Sequence, residues 1–221
     1  AFAFSDHFAW RYRIAFVVLG LIALYEIKES KAVQGLVVTG AGLAMIGFYL
    51  VRSKTKSWHW TTGYLIAIAI GAGFALAGAL QKGPLASVIY KRSVSLRGTY
   101  WETGINMEMD KPFTGVGMDS YGDWYRRSRN LAATLRRGPD VTSNAAHNVF
   151  LDISSYGGFP LFIIYVALMA LVAISAIKVL KRQSSFNPVF AGVVGGWVAF
   201  QAQSIISINQ IGLAIWGWVL S

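Results

Sequence analysis

The chain contains no cysteine, which excludes both a disulfide framework and a thiolate metal site. Its three histidines, His7, His59 and His147, are scattered, which leaves no zinc-type cluster in the sequence. Charged residues make up only 14% of the chain, whereas a soluble globular domain usually carries about 25%. Together with a hydrophobic fraction of 55% and a mean hydropathy of +0.48, this shortage of charge indicates a membrane protein.

Acidic residues are the scarcer charge type, with 10 Asp and Glu against 20 Lys and Arg, so the formal net charge is +10. A surplus of positive charge of this size is typical of proteins that bind polyanions. Because the chain is so apolar, we expect anionic lipid head groups or a phosphorylated substrate as partners, and no nucleic acid.

Long apolar runs predict the architecture. Four are long enough to cross a bilayer, residues 32–51, 63–80, 159–177 and 189–206, and a shorter fifth candidate is 14–25. Such runs must be helical, because hydrocarbon offers no partner for a free backbone N–H or C=O. The last run, 211–220, is too short to cross, so further spans are expected beyond both ends of the chain.

The fold class predicted is therefore all-α, a polytopic helical membrane protein with one long extracytoplasmic loop. We expect three membrane helices in residues 1–80, the loop in 81–158, and two spans with a truncated third in 159–221. The loop is the segment in which the chemistry of this protein is expected.

The basic residues next to the spans predict the orientation. Three clusters fall on one face if every span crosses: Arg11 and Arg13; Arg52, Lys54 and Lys56; Lys178, Lys181 and Arg182. The short connection on the opposite face holds only Lys28 and Lys31. By the positive-inside rule the clusters are cytoplasmic and the loop 81–158 faces outward, and a loop of that length is largely exempt from the rule.

Short amphipathic helices are predicted within the loop. The spacing of Leu96, Tyr100, Trp101 and Ile105 predicts a helix lying in the membrane interface. Pro112, followed by Gly115 and Gly117, predicts the turn that ends it. A basic stretch, 124–137, then breaks at Gly138 and Pro139. After the break, Ser143 or Asn144 is expected to cap a new helix that holds His147.

Three residues of the outer face are candidates for chemistry: Lys31, Arg97 and His147. Arginine and lysine suit a phosphate, and histidine takes up a proton near neutral pH. Each also has a simpler interpretation: a snorkelling interfacial lysine, an arginine that binds head groups, and a histidine that fixes a loop.

Two other charged groups are expected to be surface features and not catalytic. The arginines at 126, 127, 129, 136 and 137 are predicted to form a lipid- or glycan-facing surface. Glu108 and Asp110 are the nearest approach to a metal-binding acidic pair, and the helical pattern favours a solvated edge for them.

Several motifs, taken together, resemble a known superfamily. They are Arg97-Gly-Thr-Tyr-Trp101, Lys111-Pro-Phe-Thr-Gly-Val-Gly117, Tyr121-Gly122, His147-Asn-Val-Phe-Leu-Asp152 and Gly157-Gly158. In sequence and order they resemble the C-terminal half of the O-antigen ligase and polysaccharide polymerase superfamily, over roughly residues 30 to 221.

The resemblance implies an inverting, metal-independent membrane glycosyltransferase of the GT-C type, without a cofactor, in the bacterial cytoplasmic membrane. Its donor would be a glycan linked to undecaprenyl diphosphate, and its acceptor a hydroxyl of a glycan, lipid or protein. Arg97 matches the arginine that contacts the diphosphate, and His147 matches the histidine that activates the acceptor. Trp101, Tyr121 and Asn148, from the same motifs, are expected to support them.

One position departs from the resemblance. The superfamily usually carries a further arginine, after a serine, at the outer start of an earlier span, and here Ser30-Lys31 stands in that place. The positive charge is retained, but bidentate recognition of phosphate is not.

A non-enzymatic alternative stays open at this point: a transporter, or a structural subunit of a membrane complex that keeps the fold without the reaction. Transport predicts ionisable residues within the spans. The complete spans hold only mild cases, Gln34, Gln201 and Gln203, which disfavours an ion pathway but not a structural role.

Overall fold

A computed structural model describes residues 1–6, 8–79, 82–89 and 92–221, with the backbone alone at 79, 88–89, 92–96 and 136–137. His7 lies outside the described residues. The described part of the chain contains helices and no strand, which confirms the predicted all-α fold. In chain order the α-helices are α1 (Trp10–Glu29), α2 (Val33–Thr55), α3 (Trp58–Ala79), α4 (Ala86–Ile89), α5 (Arg92–Asp110), α6 (Tyr121–Ser128), α7 (Leu131–Arg137), α8 (Val149–Arg182), α9 (Pro188–Ile206) and α10 (Ile211–Val219).

Four of these helices, α2, α3, α8 and α9, are long and apolar enough to cross a membrane. At 23 residues α2 is about 35 Å long, against a hydrocarbon core of about 30 Å. Large apolar side chains such as those of Ile66 and Ile164 stay exposed, as expected where lipid is the solvent. The four spans predicted from hydropathy are the same four helices. The fifth candidate lies within α1, and its crossing of the membrane stays a prediction.

The chain forms two compact units, each described separately below. The first contains residues 1–90, 175–203 and 216–221, and the second contains residues 91–174 and 204–215. In the first unit, α2 and α9 approach closely at Gly42 and Gly195. A Cβ on Gly42 would lie 2.7 Å from the Gly195 carbonyl oxygen, so only small residues permit this contact. The division into 1–80, 81–158 and 159–221 stays a prediction.

Members of all three basic clusters lie on one face of the first unit. Asp6 forms ion pairs with Arg13 at 3.4 Å and with Lys54 at 3.6 Å, which joins the first cluster to the second. Arg52 of the second cluster and Lys181 of the third line one cavity. The assignment of this face to the cytoplasm rests on the positive-inside rule.

In the second unit, α8 is broken near the point where the apolar run begins. Gly158 has φ 63° and ψ −165°, outside the helical region, and Pro160 follows it. The break diverts the N–H of residue 159 from Ser155, and Pro160 has no N–H for Tyr156, so two carbonyls lose their helical partners. The helix that contains the third predicted span therefore starts earlier than the apolar run, at Val149. Residues 159–182, about 36 Å long, are sufficient to cross.

The loop after α5 supplies hydrogen-bond partners for the backbone groups that the break in α8 leaves free. Backbone N–H groups of Val116 and Gly117 donate to the freed carbonyls of Ser155 and Tyr156, at 2.8 and 3.1 Å. The N–H of residue 159 donates to the carbonyl of Pro112 at 2.7 Å. The sequence predicts this proline–glycine turn only as the end of a helix. In the structure the same turn also holds the backbone of α8 at its break.

Candidate functional site

Helix α5 carries Arg97, Tyr100 and Trp101 on its second to third turns. It is 19 residues long, which exceeds the short helix predicted, and it ends at Asp110 before Pro112. The side chain of Leu96, used in the prediction, lies outside those the structure describes. Arg97 is partly exposed, and its burial lowers the pKa of the guanidinium from its usual value. With an ordinary value of about 12.5, the group keeps its charge at neutral pH.

A small buried core fixes α5 against α6. It consists of Met107, Tyr121, Tyr125 and Ala146, with Trp101 packed against it. The Tyr121 hydroxyl donates to the backbone carbonyl of Tyr100. Tyr121 is fully buried, so it positions α5 and does not reach a substrate. Trp101 packs against the same core, and its support of the site stays a prediction.

His147 lies in the loop before α8, and the prediction that a helix holds it is wrong. The residue that caps α8 is Asn148, whose Oδ1 accepts the N–H groups of Phe150 and Leu151 at 3.0 and 3.2 Å. Neither Ser143 nor Asn144 caps this helix. The buried carboxylate of Asp152 reaches back to accept the N–H of Ala146 at 2.6 Å, which fixes the loop immediately before His147.

The backbone of His147 is left-handed, with φ 58°. This conformation is uncommon outside glycine, although Asn, Asp and His adopt it more readily than other residues. The imidazole ring stacks on Tyr100, with ring centroids 5.5 Å apart and an angle of 25° between the planes. Tyr100 follows Arg97 by three residues on α5, so this contact brings the two motifs together.

Arg97 and His147 are close enough to interact electrostatically. Burial, followed by the positive charge of Arg97, lowers the pKa of His147 below its ordinary value of about 6.5. The imidazole is therefore neutral at pH 7 and has a lone pair free to accept a proton.

Arg129 holds the loop that leads to His147. Its guanidinium donates to the carbonyls of Val141 and Pro139, both at 2.7 Å, and to that of Gly138 at 3.3 Å. The prediction of a lipid- or glycan-facing role is wrong for this arginine. Arg126 and Arg127 are exposed as expected, while the side chains at 136 and 137 lie outside those described.

A cavity of about 530 Å³ opens beside His147 in the second unit. Its polar lining comes from Asp119, Asn144, His147, Asp152, Tyr156 and Asn209. Sequence reasoning did not select Asp119 or Asn209, and it considered Asn144 only as a helix cap. One signal was present: Gly122 leaves room for Asn144, because a Cβ there would lie 2.8 Å from the Asn144 Oδ1.

The sequence profile of the family described as O-antigen ligase matches residues 8–166, well over half of the chain. The matched range includes Arg97, Tyr121, His147 and Asn148. The chain belongs to the O-antigen ligase family. Neither the comparison with curated proteins nor that with solved structures gave a match. Membership of the O-antigen ligase family indicates glycan transfer in polysaccharide assembly, by a ligase- or polymerase-type glycosyltransferase of the bacterial inner membrane.

Lys31, the departure from the usual O-antigen ligase pattern, belongs to the first unit. It follows the end of α1, is exposed, and has a left-handed backbone with φ 54°. Its backbone N–H donates to the Lys28 carbonyl at 3.0 Å, in the turn that leads into α2. Its role at a diphosphate stays a prediction.

In the described part of this O-antigen ligase family member, the acidic residues form no cluster that could bind a metal ion. No group of three or more His, Cys, Asp or Glu side chains there is placed to hold a metal ion. Asp110 is exposed as predicted, but Glu108 is only 8% exposed, so the prediction of a solvated edge is wrong for Glu108.

Proposed function

We propose that the protein transfers a glycan from undecaprenyl diphosphate to a hydroxyl of an acceptor glycan, lipid or protein. The observation that carries the proposal is that His147 lines a polar cavity and stacks on Tyr100, on the helix that also carries Arg97. A fixed cation and a neutral base are the two groups needed for the departure of a diphosphate and the attack of a hydroxyl.

His147 acts as the base. As the acceptor oxygen attacks the anomeric carbon, its proton passes to an imidazole nitrogen. The bond from the anomeric carbon to the diphosphate oxygen breaks, and its electron pair leaves with undecaprenyl diphosphate. Attack from the side opposite the leaving group inverts the anomeric configuration. A positioned base contributes about 10²- to 10⁴-fold in rate.

Arg97 holds the diphosphate and stabilises the charge that develops as it leaves. Its planar fork of donors suits two phosphate oxygens at once, and its partial burial strengthens the attraction. Lys31 supplies a second positive charge by analogy with the arginine usual in the superfamily. With two cations on the leaving group, the mechanism we propose requires no metal ion.

The cavity beside His147 receives the acceptor. Its carboxylate and amide groups, from Asp119, Asn144 and Asn209, are those that bind sugar hydroxyls, and its volume lies within the range of ordinary ligand sites. His147 belongs to the lining, so a hydroxyl bound there is within reach of the base.

Donor binding by matched arginine variants tests the proposal. We expect Arg97→Gln to weaken binding of a glycan-diphosphate lipid by about tenfold or more, because a charge-assisted bidentate contact is lost. Arg126→Gln is the control, since it removes the same charge from an exposed site in the same unit. The measurement is the Kd of the labelled donor in proteoliposomes. Equal weakening by both variants, or no weakening by Arg97→Gln, would favour a non-catalytic membrane subunit.

The role of Lys31 is tested in the same assay. If both cations hold one diphosphate, the effects of Arg97→Gln and Lys31→Gln are not additive, with a coupling of about 0.5–3 kcal/mol. Lys31→Arg should preserve or tighten donor binding, because bidentate contact is restored. Strictly additive effects would remove Lys31 from the site and leave Arg97 and His147.

A further inference from the structure

The first unit contains a cavity of about 550 Å³ between the C-terminal ends of α2 and α8. Three cationic residues line it: Arg52 and Lys56 from α2 and its cap, and Lys181 from α8. Cations near a helix C-terminus are favoured by the helix dipole without any ligand. The positive-inside rule also favours cations on this face. The structure adds that three of them, from two helices, line one cavity.

The positive charge of this cavity is not compensated within the described part of the chain. No carboxylate lines the cavity, and Arg52, Lys56 and Lys181 form no ion pair with any described residue. Asp6 is paired with Arg13 and with Lys54, and neither Asp6 nor Lys54 lines the cavity. All three side chains are exposed, so solvent screens their mutual repulsion, and an anion bound among them would offset what remains.

The wall of the cavity is rigid and polar. Tyr49 is 3% exposed, and its hydroxyl bonds to the Gln183 side chain and, at 3.0 Å, to the Ser185 carbonyl. The same hydroxyl accepts the N–H of Asn187 at 3.0 Å. These bonds fix the loop between α8 and α9 that closes one side of the cavity.

The remaining lining is apolar and interfacial. Phe48 and Ile177 lie one to two turns before the C-terminal ends of α2 and α8, Leu180 lies within the last turn of α8, and Trp58 at the start of α3 is exposed. An aromatic residue at a span end is typical of the membrane interface. The cavity thus combines a cationic rim, in the zone of head groups, with an apolar side in the zone of acyl chains.

We propose that this cavity binds an anionic phospholipid, whose phosphate contacts Arg52, Lys56 and Lys181 and whose acyl chains follow Phe48 and Ile177. The apolar lining favours a lipid over free phosphate, and basic pockets between spans on the cytoplasmic side are suited to such head groups. The site is independent of the proposed glycan transfer.

Lipid binding by the purified full chain tests this assignment. Native mass spectrometry in detergent would measure binding of phosphatidylglycerol, phosphatidylcholine and inorganic phosphate. We expect phosphatidylglycerol to bind most tightly. Arg52→Gln and Lys181→Gln should each weaken it about fivefold, as expected for one cation near an anionic head group. Arg52→Lys, which keeps the charge, should bind within about twofold of wild type.

Lys54→Gln is the matched control, because it removes the same charge from the same face outside the cavity. It should change binding little. Equal weakening by Lys54→Gln would overturn the site in favour of a diffuse surface charge. Phosphatidylcholine that binds as tightly as phosphatidylglycerol, or inorganic phosphate that displaces the lipid at equal concentration, would also overturn it.

Discussion

At the scale of single residues, His147 combines an unusual backbone with a perturbed side chain. Its φ of 58° directs the ring out of the loop and onto Tyr100, and Asp152 fixes the preceding backbone at Ala146. The conformation restricts which substitutions are informative. Alanine at this position carries a backbone cost that asparagine largely avoids, so His147→Asn tests the imidazole with less disturbance of the loop.

The lowered pKa of His147 predicts the pH dependence of transfer. Only the neutral imidazole accepts a proton, so kcat/KM should fall as pH decreases through a pKa below about 6.5 and be flat near pH 7. Asp119 and Asp152 line the same cavity, but burial and the Arg97 charge dominate the shift. Arg97→Gln should shift the fall in kcat/KM to higher pH, while Arg97→Lys should leave the pH of this fall unchanged. A pH profile that Arg97→Gln leaves unchanged would contradict the electrostatic interaction between Arg97 and His147.

At the scale of elements, the broken helix α8 connects the site to the membrane. Its kink at Gly158 is held by the loop that follows α5, through bonds at Pro112, Val116 and Gly117. Gly115 and Gly158 both have positive φ, and at each a Cβ would lie 2.3 Å from backbone atoms of the other segment. The two glycines are therefore required by the backbone contact itself.

Gly158→Ala should destabilise the protein by more than about 1 kcal/mol, because it adds left-handed strain and a clash with the Pro112 carbonyl. The control is Gly98→Ala in α5, where a Cβ meets no atom within 4 Å. That substitution should be neutral or stabilise by about 0.5–1 kcal/mol. The measurement is thermal unfolding of both variants in the same detergent. Equal midpoints would contradict the account of the kink.

Hydropathy predicted the spans well because lipid imposes helices on apolar runs: residues 32–51 correspond to α2, Val33–Thr55. The same pattern missed the start of α8, since residues such as Asp152 and Ser155 interrupt it with polar groups. Ser143, Asn144 and Asn148 are all acceptable caps by residue type, and the structure uses Asn148, whose Oδ1 accepts the N–H groups of Phe150 and Leu151. The pairing of Arg97 with His147 required the fold, because no local pattern relates the two.

At the scale of the whole molecule, the apolar helices and the segregation of charge describe a protein solvated by lipid. Members of the three basic clusters lie on one face of the first unit, which the positive-inside rule assigns to the cytoplasm. The same rule predicts that the loop with Arg97 and His147 faces outward, where a lipid-linked glycan is consumed in our proposal.

Thiol labelling tests this orientation, and the absence of native cysteine in the chain leaves no background from it. A cysteine in place of the exposed Met118 should react with an impermeant reagent added to intact cells. A cysteine in place of the exposed Thr55 should react only after the membrane is opened. The reverse pattern would place the site on the cytoplasmic side and contradict the proposed topology.

The most direct test of the central claim is the single-turnover rate of glycan transfer by His147→Asn, with the donor Kd measured on the same preparation. Because asparagine tolerates the left-handed backbone but supplies no base, the rate should fall by at least about 10²-fold while donor binding changes little. A rate near that of wild type, in a variant that binds donor normally, would contradict the assignment of His147 as the base.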